Sequence, residues 1–195
     1  MSNFKVYFGL GYDHIMDING YDHMLFIIAL AVVYLLRDWR KILILITAFT
    51  IGHSITLALS TLNYILIKAA YIEFLIPVTI GITAFANLFK KERNLKSIRK
   101  IQLNYIFALV FGLIHGLGFS NYLKALLGKS SNILIELLAF NLGLEIGQIL
   151  VVLIFLIISF IFIELFGVKR RDWILIISSI IIGLSLTLMM ETKFW

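Results

Sequence analysis

FGLIHGLGFS, residues 111 to 120, sets His115 in the middle of an apolar run and surrounds it with Gly112, Gly116 and Gly118. Glycines in such a run let another backbone or side chain come close, and an imidazole in hydrocarbon needs a partner to offset its desolvation. The other three histidines, His14, His23 and His53, lie in comparable surroundings. A buried polar site is therefore the first question this sequence raises.

Composition sets the class. Of 195 residues, 61% are hydrophobic and 14% charged, with mean hydropathy +1.00. An average soluble domain is about half apolar and about a quarter charged. The chain reads as all-α: one polytopic membrane domain over residues 1–195, a six-transmembrane-helix bundle preceded by an N-terminal interfacial or re-entrant segment. There is no cysteine, which removes disulfides, thiolate ligands and a thiol nucleophile. Met1 to Asn19 carries Asp13, His14 and Asp17 and does not read as a cleaved signal peptide.

Apolar continuity predicts spans over Tyr21–Leu36, Ile42–Ile65, Ala69–Phe89, Ile101–Asn121, Leu142–Phe166 and Trp173–Met190. The first is short for a crossing. Asn132 to Gly167 is too long for one untilted helix, at about 1.5 Å per residue against a hydrocarbon core of about 30 Å. A split near Asn141 to Gly143 is expected, leaving a short apolar piece, Ile133–Phe140, ahead of the fifth span.

Charge orients the bundle. Arg37, Arg40, Lys41, Lys90, Lys91, Arg93, Lys96, Arg99, Lys100, Lys169, Arg170 and Arg171 fall on one side, making 12 of the 17 basic residues. Lys5, Lys68, Lys124, Lys129 and Lys193 fall on the other. The positive-inside rule then places both termini outside the cytoplasm. The same bias explains the basic charge without a nucleic-acid partner, since the stretch Lys90–Lys100 lacks interleaved aromatic residues.

Depth gathers the polar residues. His53 lies roughly 18 Å and His115 roughly 21 Å along their spans from the cytoplasmic ends. Asp22 and His23 begin the first span, Glu73 the third, and Asn141 and Glu145 lie at the outer start of the fifth, with His14 just ahead of the first. His23, His53 and His115, with His14, Asp22 and Glu145, form the candidate metal set; imidazole plus carboxylate suits zinc, nickel, cobalt or iron(II). Thr50, Ser54, Thr56, Glu73, Asn141 and Gln148 are candidates for orienting the ligands. Plainer roles stand beside these: a membrane histidine can cross-link helices, and Asp22 or Glu73 can serve a helix start. No HExxH pair, P-loop or GxSxG elbow is present.

Four stretches carry a family likeness: GYDHIMDINGYDHMLF (Gly11–Phe26), TAFTIGHSITL (Thr47–Leu57), FGLIHGLGFS (Phe111–Ser120) and FNLGLEIGQ (Phe140–Gln148). With these the chain resembles the HupE/UreJ family of small membrane proteins, whose members are linked to nickel or cobalt uptake for hydrogenase and urease. The hydrogenase-associated permeases carry HxxxxxDH in the first span and FHGxAxE in the fourth. By that resemblance Asp22 and His23 match the DH pair, and His115 and Gly116 the HG pair. His14 precedes Asp22 by eight positions rather than six, Ile114 replaces the phenylalanine, and no glutamate follows His115.

The resemblance implies a nickel/cobalt permease-like protein of the bacterial cytoplasmic (inner) membrane, in contact with membrane lipids and the metal ion, with a homo-oligomer as one arrangement. Against transport, Met24–Leu35, Ile42–Ile46 and Leu150–Ile158 contain no charged or amide side chain to serve as a stepping stone. A one-sided site fits a second reading, a membrane-embedded zinc-dependent hydrolase of a lipid or peptide with Asp22 or Glu145 as general base. A metal-stabilised structural or accessory protein is the third.

Overall fold

Backbone groups in lipid must satisfy one another, which drives apolar runs of this length into helices. The computed structural model describes residues 3–18, 20–65, 67–90, 98–120, 123 and 133–195. It contains α1 (Asn3–Met16), α2 (Asp22–Ala31), α3 (Trp39–Thr61), α4 (Ala69–Leu88), α5 (Ile98–Gly118), α6 (Ile133–Phe160) and α7 (Arg170–Glu191). A 3-10 turn, Leu36–Asp38, leads into α3, and a π-helical turn, Ile161–Leu165, prolongs α6. Most of the basic loop (91–97) and the link Lys124 to Ser131 lie outside the described residues.

Four stretches are long and apolar enough to cross a membrane: Leu36–Thr61, Ala69–Leu88, Ile133–Leu165 and Arg170–Glu191. Two shorter apolar helices accompany them, Asp22–Ala31 and Asn104–Gly118. The chain is thus an all-α polytopic membrane protein.

Three expectations are corrected. The split near Asn141 to Gly143 does not occur, and α6 runs unbroken through it. Gly143 is there for approach, not for a bend: a Cβ on it would collide with the carbonyl oxygen of Phe8 in α1. The first span, expected over Tyr21–Leu36, ends as a helix at Ala31. Beyond it the Val33 carbonyl accepts from Arg170 Nη2 (2.6 Å), and Leu35 N–H donates to Asp38 Oδ2 (3.4 Å), so polar side chains replace the helical bonds. At the other end of α3, Asn63 takes a left-handed φ of 64°, which stops the helix short of Ile65.

Glycine-seamed pairs organise the bundle. On α3 and α5, a Cβ at Gly52 would strike the Leu109 carbonyl oxygen, and one at Gly112 that of Phe49. Ser60 Oγ reaches Ser120 Oγ at 2.9 Å further along, so the two helices run parallel. α1 and α6 repeat the device. Asn3 Nδ2 donates to Glu136 Oε1 (3.4 Å), Phe8 meets Gly143, and Ile15 meets Gly147, again in parallel order.

α1 therefore enters beside the first half of α6 and stops at Met16, level with Gly147. α2 takes up the same direction from Asp22. Near its end the Ala29 carbonyl accepts from Asn87 Nδ2 (2.7 Å), close to the last turn of α4. α1 and α2 thus follow one another in one direction, interrupted between Met16 and Asp22, where Asp17 and Ile18 are exposed. α4 and α7 pack antiparallel: Tyr71 meets Phe194 (ring centroids 4.6 Å) at one end, and Arg171 Nη1 donates to Lys90 O (3.1 Å) at the other.

In lipid, helices associate through close packing more than through hydrophobic burial. Gly112→Leu should therefore separate α3 from α5 and cost about 3 kcal/mol or more by overpacking. Gly183→Ala, on α7 where a Cβ meets nothing within 4 Å, should stabilise by about 0.5–1 kcal/mol. Thermal unfolding of the purified chain in detergent reads both; equal effects would refute the seam.

Candidate metal centre

The seams bring four imidazoles together. Gly116 lets α5 approach until a Cβ there would collide with the His53 carbonyl, which fixes His115 beside His53. His14 sits in the last turn of α1 and His23 in the first turn of α2, on either side of the interruption. Ring centroids are 4.5 Å apart for His14 and His23, 5.2 Å for His23 and His115, 5.9 Å for His23 and His53, and 6.3 Å for His14 and His53. His53 and His115 are wholly buried and His23 nearly so.

Five ring nitrogens there have no hydrogen-bond partner: His14 Nε2, His23 Nε2, both nitrogens of His53, and His115 Nδ1. The partnered nitrogens explain the orientation. His23 Nδ1 lies 3.0 Å from Asp22 Oδ1, a carboxylate that can only accept when ionised, so the proton sits on Nδ1 and the Nε2 lone pair is bare. Asp22 Oδ1 also accepts from His23 N–H at 2.8 Å, which holds the carboxylate in place. His115 Nε2 lies 3.2 Å from Thr79 Oγ1. That hydroxyl spends its own proton on the Ile76 carbonyl (2.7 Å), so it accepts from Nε2–H and leaves the Nδ1 lone pair bare. Both arrangements are the orienting bonds that ligand histidines use.

Aromatic rings close the layer. Phe26 and Phe49 lie 5.0 and 5.2 Å from His115, and Phe119 covers His14 at 4.0 Å. His14 also lines a vestibule of about 560 Å³ with Asp13, Asp17, Leu10, Met16 and Phe119. Among the described residues, no three His, Cys, Asp or Glu side chains are set to hold a metal ion as they stand. The imidazoles are neighbours, and their donor atoms do not converge on one point.

The remaining candidates lie around this layer. Glu145 Oε1 accepts from Thr47 Oγ1 (2.7 Å), and Gln148 Oε1 from the buried Thr50 Oγ1 (2.9 Å), along the α3–α6 contact. Ser54 and Thr56 give their protons to the backbone, at Thr50 O (2.6 Å) and Gly52 O (3.2 Å). Asn141 keeps a buried Oδ1 without a partner, and Glu73 is exposed near the start of α4. Thr79 was missed in the sequence. Its signal, a lone hydroxyl in the apolar run FLIPVTIGI, is weak. The flanking phenylalanines carried no signal apart from the rest of the core.

The bonding fixes two tautomers. In metal-free protein, ¹⁵N spectra should show His23 protonated at Nδ1 and His115 at Nε2. Thr79→Val should abolish the preference at His115 while leaving His23 unchanged. A His115 preference that survives Thr79→Val would contradict the assignment.

Comparison with known proteins gives the family. The HupE/UreJ protein family model matches residues 1–193, covering α1 and α2, both glycine seams and all four histidines. No curated protein and no solved structure matches the chain. Matched over nearly its whole length, the chain belongs to the HupE/UreJ family.

Proposed function

We propose that the chain is a permease for a divalent transition-metal cation, nickel or cobalt, with zinc as a competing ion, and that the four-histidine layer is its transit site. The observation that carries this is the set of five unpartnered imidazole nitrogens where α1 ends and α2 begins. Interrupted helices are where transporters place substrate, because their half-helix ends expose backbone dipoles inside the membrane. Here the last-turn carbonyls of α1 present partial negative charge to a cation beside His14. Neutral imidazoles then supply nitrogen donors, and Asp22 strengthens His23 as a donor through Nδ1. Asp13 and Asp17 line the vestibule leading to His14, so a cation would meet carboxylates before imidazoles.

In this reading α1 and α2 make up one interrupted crossing, and α3 to α7 one each, giving six. Both termini then share the outer face of the cytoplasmic membrane, in keeping with the basic bias of the loops.

A zinc-dependent hydrolase draws support from one observation, the size of the vestibule, which at about 560 Å³ has room for a substrate group beside His14. Such an enzyme would hold zinc on the same imidazoles, the ion supplying an activated water, with Asp22 or Glu145 as the base.

In vesicles of the purified chain, nickel or cobalt should move down its gradient, and His115→Ala should abolish the movement. Thr79→Val should weaken metal binding about 10–100-fold by releasing the His115 ring. Stoichiometric binding with no flux in correctly oriented vesicles would sink the permease and favour the hydrolase. For topology, a reporter fused after Trp195 should be active only when designed for the non-cytoplasmic side; cytoplasmic activity would overturn the orientation.

A further inference from the structure

A transit site needs an inner route, and the apolar inner halves of α2, α3 and α6 do not offer one. α4 does. Thr79, Thr83 and Asn87 recur every four residues, hence on one face of the helix, and all three are buried. The face begins at His115, which Thr79 touches, and ends at Ala29 near the inner end of α2.

The hydrogen bonds fix the character of this face. Thr79 Oγ1 donates to Ile76 O, Thr83 Oγ1 to Thr79 O (2.8 Å), and Asn87 Nδ2 to Ala29 O. These donors are spent on backbone carbonyls, so what the side chains still offer is oxygen lone pairs. Asn87 shows this most sharply: it is wholly buried, yet its Oδ1 has no partner. An orphan buried carbonyl oxygen is costly to leave unmet, and it is the atom a cation would seek.

A buried polar contact between α3 and α6 has the opposite character. Gln148 uses its Oε1 on Thr50 and leaves Nε2, a donor, unpaired. The space beside it is about 10 Å³ and otherwise apolar, lined by residues such as Ile42, Phe49 and Val152. Beside α4 the space is about 170 Å³, and Thr83, Asn104 and Lys90 give it polar groups among apolar neighbours such as Ile82, Phe107 and Phe111.

We infer that the Thr79–Thr83–Asn87 face of α4 is the inner half of the cation route, with Asn87 Oδ1 and the Thr83 hydroxyl as an oxygen-donor station between the histidines and the inner surface. This rests on the permease reading above. Nitrogen donors hold a transition-metal ion more firmly than neutral oxygens do, so the order of stations favours release inward. Lys90, at the inner rim, disfavours a lingering cation there. Burial pushes its ammonium down to about 8, so the charge is itself poorly solvated. Passage needs sites that are entered readily and left readily.

The test uses the full chain in vesicles, with nickel or cobalt as the probe and equilibrium metal binding measured in parallel. Thr83→Val keeps the side-chain shape, and Asn87→Leu removes the oxygen. Each should cut flux about tenfold or more, the scale of one lost hydrogen-bond-like contact to a charge, with binding at the histidines unchanged. Asn87→Asp, which retains the oxygen, should restore flux lost in Asn87→Leu. Thr187→Val, an exposed α7 hydroxyl, should match the parent chain. Parent-level flux in Thr83→Val, in vesicles where His115→Ala carries none, would overturn the α4 route and leave the permease standing. Absence of flux in the parent chain would overturn both. Should Asn87→Leu fail to fold, Thr83→Val decides alone.

Discussion

In a medium that offers no water, each polar proton has to be given to something within reach, and this requirement shapes the whole molecule. Thr79, Thr83, Ser54, Thr56 and Asn87 all donate to backbone carbonyls of their own or a neighbouring helix. Spending the donors this way leaves lone pairs, so the buried hydroxyls of α4 accept rather than give. The imidazoles follow the same logic, with His23 and His115 each committing one N–H and baring the other nitrogen. Five unpartnered ring nitrogens at one depth burden stability by about 1–3 kcal/mol for each unmet group. Phenylalanine at these positions would shed that cost, which is the ground for the proposed cation site.

Close approach is what allows the layer to exist. Gly52, Gly112 and Gly116 lock α3 to α5, and Gly11, Gly143 and Gly147 lock α1 to α6. The four histidines are shared between these units: His53 and His115 belong to one seam, His14 to the other, and His23 to α2 between them. Any displacement of one seamed pair against the other must change the distances between the rings. Packed pairs of this kind move as bodies rather than deform, because interiors are close-packed. The site thus lies where relative motion has the greatest effect on its geometry.

Much of this was readable from residues alone. The class followed from composition, and the shared depth of His23, His53 and His115 followed from counting along apolar runs. What sequence could not supply was direction within the N-terminal segment. Phe4, Tyr7 and Tyr12 suggested an interface, and only the carbonyls of Phe8 and Phe140 pressed on Gly143 and Gly11 reveal a helix inserted beside α6. The expected break at Asn141 to Gly143 failed for the same reason: a glycine that serves a neighbour looks like a glycine that serves a bend. Thr79 and Thr83 went unnoticed because isolated threonines are unremarkable in apolar helices. Their importance comes from the four-residue spacing that ends at Asn87, combined with the contact to His115.

The support given to each histidine also bears on residence against passage. A metal that stays in a protein is held by ligands locked through second bonds, close to final geometry before the ion arrives. His23 and His115 are held in that way, by Asp22 and Thr79. His53 is not: both its nitrogens are free of partners, although the ring is wholly buried. Its separation from His23, 5.9 Å between centroids, and the absence of any three-ligand set among the described residues describe a shell that is half prepared. Half-preparation is a poor basis for a resident zinc, which needs its ligands fixed to activate water. On the permease reading it suits an ion gathered from carboxylates, held by imidazoles and released toward oxygens, since each step then exchanges a few donors without dismantling a finished cage.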